Sequence, residues 1–378
     1  MLIRGVVSSP VRGVVGSGFG GGDTFSLDAF MASQSDGFWY DLRRRDSMFQ
    51  QSGGPTPADD PGELIGLALD QRLWGGQTLP QVVAGAAELV VNGNFATDTA
   101  WTRTQATISG GIATINSPDG TFAGIRQDIA GVAGRLYAIS FDLLSLSGDA
   151  PTVDFGATGV AQVSSALDRK TVFLVASGAS NPLFIKRTSG VTLFTIDNVS
   201  VREVSQVPAT QSTTSFKPKW QTDGAAFDGT DDNLLTNYTA GSGANFLIAK
   251  VVVPASIAST QIFLGGGGGP WSVIGVDSAG QLRAGLGSSL VSAGPDLRGQ
   301  TVVVGVTSNG ETELMFVGGS LVNSRAASAP DTSNALRIGA RNSASTALNF
   351  FGGSIQHALA GREFIDLARF NQIANALQ

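Results

Sequence analysis

Apolar and polar residues alternate over most of the chain in short runs, and this period of two predicts half-buried β-strands. Such runs cover residues 170–175, 183–186 and 191–204, and they continue through residues 246–364. The clearest run is YAISFDL, in which one face of the strand would carry Tyr137, Ile139, Phe141 and Leu143. We therefore expect an all-β protein built from short strands, as in β-sandwiches.

Turn signals separate the predicted strands. Residues 110–111 (Gly-Gly) divide two alternating runs and predict a two-residue hairpin, and residues 278–280 and 309–310 mark two more hairpins. The Asn-Gly pair at 309–310 favours a type I′ turn. The period changes only near residue 367, where it predicts a short C-terminal amphipathic helix with one face made of Leu367, Phe370, Ala374 and Leu377.

Composition supports this fold class and limits the function. Glycine accounts for 50 of the 378 residues and charged residues for only 14%, which suits many tight turns because glycine accepts positive φ angles. The net charge of −6 argues against nucleic acid as a partner, since phosphate binding requires a basic surface. Cysteine is absent, which excludes disulfides, cysteine nucleophiles and thiolate metal sites.

The first residues resemble neither a membrane anchor nor a secretory signal. No apolar run approaches the roughly 18 residues that cross a bilayer, and Arg, Gly, Ser and Pro interrupt the opening MLIRGVVSSPVRGVVG. Residues 1–22 contain two near-copies of Arg-Gly-Val-Val and then a glycine-rich tract. We expect an extended arm that orders against a partner, with a mobile tail as the alternative. The anchoring residues of this arm would be Arg4, Val6, Val7, Arg12, Val14 and Val15.

Signals for catalysis are weak. The one histidine, His357, lies in a predicted strand without a recognisable nucleophile or acid beside it. Glu311 and Glu313 would point the same way on a strand, as the carboxylates of some glucanases do, but they flank a predicted hairpin turn, where charges usually face water. The glycine run 265–269 lacks the lysine and following helix of a phosphate loop and is interpreted as a flexible loop. We therefore expect no enzymatic activity.

Residues 88–204 contain three stretches that resemble one family, namely LVVNGNFATDTAW, ATISGGIATI and FTIDNVSVREV. They are similar to carbohydrate-binding-module jelly rolls of the family 4/9 kind in the Asn-Gly-x-Phe opening, the tryptophan after it and the closing strand. The resemblance implies a structural calcium that joins the first and last strands. Asp197 matches the implied carboxylate, Asn92 and Asn94 lie near the opening strand, and such oxygen ligands suit calcium. Side chains that bond only to their own turns are the alternative.

The stretch WQTDGAAFDGTDDNLL, which begins at Trp220, resembles a concanavalin A-like (laminin G-like) sandwich of the version found in bacteriophage virion proteins. In those proteins the sandwich commonly opens upstream with pieces like residues 39–73 and 209–224 of this chain. The resemblance implies an arm at 1–22, the first part of this sandwich at 23–87, an inserted jelly roll at 88–204 and the rest of the sandwich at 205–378. Three consecutive units, with 23–87 as its own small domain, are the alternative. The acidic residues of this stretch, Asp228, Asp231 and Asp232, are interpreted as turn residues rather than a second ion site.

Together the resemblances imply a bacteriophage virion protein, made in the host cytoplasm and built into a tail fibre, a spike or a head-surface appendage. Its partners would be other tail or capsid proteins, a host-surface glycan and further copies of itself, with a trimer as the expected assembly. The sugar-stacking candidates are Trp271, Trp220 and Tyr238, although aromatic residues in sandwiches are more often core, as we expect for Trp101. A capsid decoration protein without a host ligand and a secreted bacterial glycan-binding protein are the alternatives.

Overall fold

The computed structural model describes residues 25–53, 56–157 and 159–378. Within these residues the chain is mostly β-strand with three short α-helices, which confirms the predicted all-β class. None of the described helices is long and apolar enough to cross a membrane. The predicted anchoring residues lie outside the described residues, namely Arg4, Val6, Val7, Arg12, Val14 and Val15.

The helices are α1 (Leu27–Ser33), α2 (Leu79–Gly85) and α3 (Leu367–Ala376), and 3₁₀ turns occupy Arg45–Ser47 and Thr214–Phe216. The strands in chain order are β1 Gly37–Asp41, β2 Met48–Phe49, β3 Leu67–Ala68, β4 Thr102–Thr104, β5 Ala106–Ser109, β6 Ile112–Ser117, β7 Gly124–Ala130, β8 Leu136–Ser147, β9 Thr152–Phe155, β10 Gly159–Gln162, β11 Arg169–Val175, β12 Ser180–Lys186, β13 Thr192–Ser205, β14 Ala209–Thr210, β15 Lys219–Gln221, β16 Gly224–Ala226, β17 Leu234–Leu235, β18 Asn245–Val252, β19 Gln261–Gly266, β20 Trp271–Val276, β21 Leu282–Gly287, β22 Val291–Ala293, β23 Thr301–Ser308, β24 Thr312–Val317, β25 Ser320–Ala326, β26 Arg337–Ile338, β27 Arg341–Ser343, β28 Thr346–Leu348 and β29 Ser354–Gly361.

Two large sheets enclose the larger core. The first has eight strands in the order β15, β16, β29, β18, β23, β24, β25, with β1 also paired to β29. The second has eleven strands in the order β2, β3, β14, β17, β26, β19, β20, β21, β22, with the β27–β28 hairpin beside β19. One buried cluster lies between them and draws its residues from 38–68 and from 207–360. These two stretches of the chain therefore share a hydrophobic interior.

Two five-stranded sheets enclose a separate core made of residues between 90 and 201. Their strand orders are β10, β9, β12, β7, β4 and β11, β8, β13, β6, β5. The predicted hairpin at 110–111 is confirmed, since β5 and β6 pair on either side of two glycines with positive φ. The predicted inner face of β8 is also confirmed, because each of its residues exposes 2% or less, namely Tyr137, Ile139, Phe141 and Leu143.

Two helices pack on the outer face of the eight-stranded sheet. α1 and α3 share a buried cluster there with Phe246 and Leu359, and the Asp366 side chain caps α3 by accepting a hydrogen bond from the Arg369 N–H at 2.7 Å. The predicted C-terminal helix is confirmed, but Leu367 is 38% exposed. The buried face begins one turn later with Phe370, Ile373 and Ala374, and the predicted Leu377 at the end of the helix is also buried, with 1% exposed.

Two predicted loops differ in detail from the structure. A hairpin does turn at 309–310 between β23 and β24, but only Gly310 has a positive φ, whereas a type I′ turn requires it at both central residues. The Asn309 side chain instead accepts hydrogen bonds from the two N–H groups that follow Gly310. In the glycine run, Gly265 and Gly266 belong to β19 rather than to a loop. A Cβ at Gly265 would come within 2.8 Å of Ile262 Cγ2 in the same strand, and one at Gly266 within 2.7 Å of the Asn334 carbonyl oxygen, which explains the glycines.

A further buried cluster joins the two cores. It contains Phe49, Leu67, Leu69 and Trp74 from one side and Leu136, Ala138, Phe173 and Val204 from the other. Buried Asp70 reinforces the junction, since its carboxylate accepts from the Trp39 N–H at 2.9 Å and its own N–H donates to Ser205 Oγ at 3.1 Å. Strand β8 is therefore buried on both faces along part of its length, whereas its sequence pattern indicates only one.

Candidate functional site

A cleft of about 690 Å³ lies on the outer face of the five-stranded sheet that contains β8. β11, β8 and β13 form its floor, because residues that alternate with the core positions point outward on these strands. The strand register aligns these residues in two rows. The first row is Thr171, Ser140 and Ser200, and the second is Phe173, Ala138 and Arg202. The floor thus combines a row of three hydroxyl groups with a more apolar row.

Helix α2 forms one wall of the cleft through Leu79, Pro80, Val83 and Ala84. At the start of the helix, the Leu79 N–H donates to Asp46 Oδ2 at 2.9 Å. At its end, the Arg202 guanidinium donates to the carbonyl of Ala84 at 3.1 Å and to that of Ala86. The wall is therefore held at both ends by side chains from different parts of the chain.

Glu88 organises the edge of the cleft next to α2. Its carboxylate accepts hydrogen bonds from the Val90 N–H at 3.0 Å and the Val201 N–H at 2.9 Å, and also from Ser200 Oγ at 2.6 Å and Arg202 Nε at 3.2 Å. Burial acts to raise the pKa of Glu88, but these hydrogen bonds and the Arg202 charge outweigh it and hold the pKa below its usual value. The carboxylate is therefore ionised and fixes both Ser200 and Arg202.

Arg169 is held in a second network at the other end of the hydroxyl row. Its guanidinium donates to Ser140 Oγ at 2.7 Å and to Asp142 Oδ1 at 2.9 Å. The Asn198 side chain donates to the second oxygen of Asp142 at 2.8 Å. Thr171 pairs with Ser140 across the two strands, and its hydroxyl has no partner among the described residues. Both arginines of the cleft are thus positioned by carboxylates.

The predicted calcium residues lie at or beside this cleft. Asn92 and Asn94 line it, and Asp197 precedes the lining residue Asn198. Asn92 Oδ1 accepts from the Thr97 N–H at 3.2 Å, Asn94 Oδ1 from the Ala96 N–H at 3.3 Å, and Asp197 Oδ1 from the Asn198 N–H at 2.6 Å. These are the turn bonds of the alternative interpretation, and the calcium site stays a prediction.

Three carboxylates do converge in the larger sandwich. Oxygens of Asp228, Asp231 and Asp232 lie within 4.8 Å of one another. Asp228 Oδ1 accepts from the Thr230 N–H at 2.8 Å, and Asp232 Oδ2 accepts from the Asp228 N–H at 3.0 Å, as expected for turn residues. Burial raises the pKa of Asp232 to about 7, and the charges of Asp228 and Asp231 contribute to the rise.

The predicted sugar-stacking residues do not lie together at a surface. Trp220 and Tyr238 expose only 1% and 3% of their surface and belong to the larger core, so the prediction that they stack on a sugar is wrong. Trp271 is partly exposed, and the Arg341 guanidinium lies 4.9 Å from its ring centroid. Trp101 is 8% exposed and is core, as predicted.

His357 is buried in β29 with 2% of its surface exposed. It is paired with Asp41 of β1 on one side and Lys250 of β18 on the other, and neither ring nitrogen has a hydrogen-bond partner among the described residues. Burial lowers the pKa of His357 to about 4, so the ring is neutral at pH 7.

The expectation that Glu311 and Glu313 both face water is wrong for Glu313. Its side chain is 1% exposed, because it turns toward the facing sheet and accepts a hydrogen bond from the Leu286 N–H at 2.7 Å. Arg325 Nε donates to its other oxygen at 2.7 Å. Burial raises the pKa of Glu313, against the opposing effect of these bonds. The carboxylate links two sheets.

The cleft residues were not identified from the sequence. The alternation of Ser140, Thr171, Ser200 and Arg202 with apolar neighbours indicates that they face away from a core. It does not indicate that α2 covers this part of the sheet, because that contact joins segments distant in sequence. An ordinary outward strand position and a cleft position have the same local pattern.

The sequence matches no protein-family model and no curated protein. Among solved structures, the chain is similar to the Ruminococcus gnavus IT-sialidase CBM40, with 14% identity over 35% of this chain and 83% of that chain and a TM-score of 0.31. The same CBM40 bound to α2,3-sialyllactose gives 14% identity over 35% and 84% and a TM-score of 0.31. Trypanosoma rangeli sialidase in complex with the inhibitor DANA gives 12% identity over 71% of this chain and 61% of that chain, with a TM-score of 0.35.

These comparisons correct the expectation that the chain is no enzyme. The similar structures include a sialidase and a mutant of it with trans-sialidase activity, the latter at 14% identity and a TM-score of 0.34. At these values of identity and TM-score the likeness assigns neither a reaction nor a ligand to this chain. The comparisons give no support to a phage origin.

Proposed function

We propose that the protein binds a glycan in the cleft above β11, β8 and β13. The observation that carries this proposal is the row of Thr171, Ser140 and Ser200, directly paired across three strands on the floor of a cleft of about 690 Å³. Sugar hydroxyls both donate and accept hydrogen bonds, and serine and threonine hydroxyls match them in both roles. Arg169 and Arg202 add fixed donors at the ends of this row.

Apolar surface beside the row supports the same function. The α2 residues Leu79, Pro80 and Val83 line the cleft and are at least partly exposed, and the non-polar face of a sugar ring can pack on such groups. Sites for small ligands typically have volumes of roughly 300–1,000 Å³ and combine apolar walls with a few fixed polar groups. The cleft has this composition.

The experiment is a glycan array followed by calorimetric titration of the best ligand. Thr171→Trp should abolish binding, because it fills the cleft without removing a hydrogen bond to the described residues. Thr107→Trp is the matched control, since Thr107 is exposed on the same outer face of the sheet but lies outside the cleft. Equal binding by both variants, or no glycan bound by the wild-type chain, would refute the proposal.

We further propose that residues 88–204 form a unit inserted into a sandwich built from 23–87 and 205–378. The pairing of β1 with β29 and the core shared by residues 38–68 and 207–360 support this division. The test is to express residues 88–204 alone. Cooperative thermal unfolding of the fragment is expected, and an unfolded fragment would contradict the division.

The proposed setting of this function is a bacteriophage tail fibre, spike or head-surface appendage that meets host-surface glycans, attached through residues 1–22 and assembled as a homotrimer. This rests on the resemblance of residues 39–73 and 209–224 to phage virion proteins. Deletion of residues 1–22 should abolish incorporation into particles and leave the melting temperature unchanged. Normal incorporation would contradict anchoring by the arm, and electron microscopy of particles would separate a tail from a head location.

A further inference from the structure

Trp271 and Arg341 form an aromatic–cation pair at the edge of the larger sandwich. The guanidinium carbon of Arg341 lies 4.9 Å from the centroid of the Trp271 ring. Trp271 begins β20 and faces away from the core, because Ile274 and Val276 occupy the opposite, inward positions of that strand. Arg341 begins β27, which pairs in parallel with the glycine-rich end of β19 at Gly265. The pair is therefore outside the core and next to the glycine run.

The glycine run brings a close turn to this pair. A Cβ on Gly268 would lie 2.7 Å from Ser343 Oγ, and one on Gly269 would lie 3.8 Å from Trp271 Nε1. Ser343 follows Arg341 by two residues on β27, so the two side chains share a face. The turn thus connects Ser343, Trp271 and Arg341 into one group. A side chain at Gly268 would fill the space beside the Ser343 hydroxyl.

The three side chains of this group carry hydrogen-bond donors for which the described residues provide no acceptor. Within the described residues, no hydrogen bond is made by the Trp271 indole N–H, the Arg341 guanidinium or the Ser343 hydroxyl, and Arg341 Nε is buried without a partner. Arg341 also forms no ion pair with a described acidic residue. Burial lowers the pKa of Arg341, which indicates a charge partly removed from water. A shielded charge without a counter-ion is costly.

The carboxylate of Asp331, beside the same glycine turn, forms no ion pair with Arg341. Asp331 lies behind the turn, where a Cβ on Gly267 would come within 2.6 Å of its Oδ2. Its oxygens are bonded to Ser333 Oγ at 2.6 Å and Asn334 Nδ2 at 2.8 Å. By contrast, Arg362 in the same sandwich contacts the carboxylate of Asp36 at 2.8 Å. The Arg341 guanidinium is left for an external group.

We propose that Trp271, Arg341 and Ser343 form a binding site for an oxyanion, either a carboxylate or a sulfate group carried by a ligand. The planar guanidinium can donate to two oxygens of such a group through two parallel N–H bonds of fixed geometry, which an ammonium group lacks. The indole N–H and the serine hydroxyl supply further donors, and none of the three side chains is acidic. The site lies in the larger sandwich, away from the cleft. The proposal therefore does not depend on glycan binding in the cleft.

The test uses the indole N–H signals of the ¹⁵N-labelled full chain, which has five tryptophans. Trp271→Phe identifies the signal of Trp271. The chain is titrated with sodium glucuronate, with sodium sulfate and, at the same ionic strength, with sodium chloride. We expect a saturable shift of the Trp271 signal with an oxyanion and none with chloride. The oxyanion that binds with the lower dissociation constant shows whether the site prefers a carboxylate or a sulfate group.

Arg341→Gln should weaken this binding at least about tenfold, since it removes a charged hydrogen-bond donor. Arg283→Gln is the matched control, because Arg283 lies on the neighbouring β21 and donates to Ser292 Oγ at 3.2 Å. The other four indole signals report whether each variant is folded, and Arg341→Lys replaces Arg341→Gln if the latter is not. The absence of a saturable shift with either oxyanion, or an equal loss in Arg283→Gln, would overturn the proposal.

Discussion

The ring centroids of Phe49 and Phe173 lie 4.8 Å apart at an interplanar angle of 47°. Phe49 belongs to β2, at the edge of the eleven-stranded sheet, and Phe173 belongs to β11, at the edge of a five-stranded sheet. Each ring is only 4% exposed. The two rings are therefore largely removed from water, and we expect their contact to contribute to stability.

A double-mutant cycle measures this contact. Phe49→Ala and Phe173→Ala should each lower the free energy of unfolding by about 3–5 kcal/mol, as is usual for buried phenylalanine. The double variant should lose less than the sum, with a coupling of about 0.5–1.5 kcal/mol for the aromatic pair. Phe216→Ala is the control, since Phe216 is 39% exposed and should change stability by less than about 0.5 kcal/mol. Strict additivity in urea denaturation would show that the rings do not interact.

His357 should make the protein less stable in acid. Burial lowers its pKa to about 4, below the value near 6.5 of an unfolded chain, so the folded state binds fewer protons between these values. The contribution of the neutral ring to the free energy of unfolding is therefore complete above pH ~6.5 and is lost as the pH falls toward ~4. The nearby charges are Asp41, Arg43 and Lys250. The stability of the wild type relative to His357→Gln should fall over this range in urea denaturation, and a constant difference would contradict the buried neutral ring.

Asp232 should have the opposite pH dependence. Burial and the charges of Asp228 and Asp231 raise its pKa to about 7, above the value near 3.9 of an unfolded chain, so the folded state binds the extra proton. Its contribution is complete below pH ~3.9 and is lost as the pH rises through ~7. The stability of the wild type relative to Asp232→Asn should therefore decrease from pH 4 to about pH 8. Because the two trends have opposite signs, each variant is a control for the other, and parallel curves would refute at least one of the two assignments.

The sequence pattern predicts the inner faces of the strands but not what covers their outer faces. Phe141 lies between Ser140 and Asp142, so its burial in the smaller core follows from the sequence pattern of β8 alone. Ala138, on the opposite face, is buried by Phe49 and Trp74, which come from a distant part of the chain.

The same dependence on distant segments explains why the sequence did not identify the residues of the candidate sites. Trp220 and Trp271 both lie in short strands, yet Trp220 is 1% exposed in the core and Trp271 faces outward beside Arg341. Residue type cannot separate them, because the difference depends on strand register. Ser140 likewise has the sequence pattern of any outward-facing serine, and only the position of α2 shows that it lies in a cleft. Glu313 is buried because it accepts a hydrogen bond from the Leu286 N–H of the facing sheet. The local sequence around Glu313 gives no sign of this partner, which is 27 residues away.

The calcium prediction rests on Asp197, Asn92 and Asn94, and it is tested best in the intact chain. Calcium should raise the melting temperature relative to excess chelator, since an ion that binds only the folded state stabilises it. Asp197→Asn should remove this shift, because it deletes the one carboxylate of the predicted site. Asp149→Asn, at another exposed position between residues 88 and 204, should retain it. A shift that persists in Asp197→Asn and disappears in Asp231→Asn would instead place the ion at the Asp228–Asp232 turn, where three carboxylates lie within 4.8 Å. No shift in the wild type would remove the calcium site altogether and leave these side chains as turn residues.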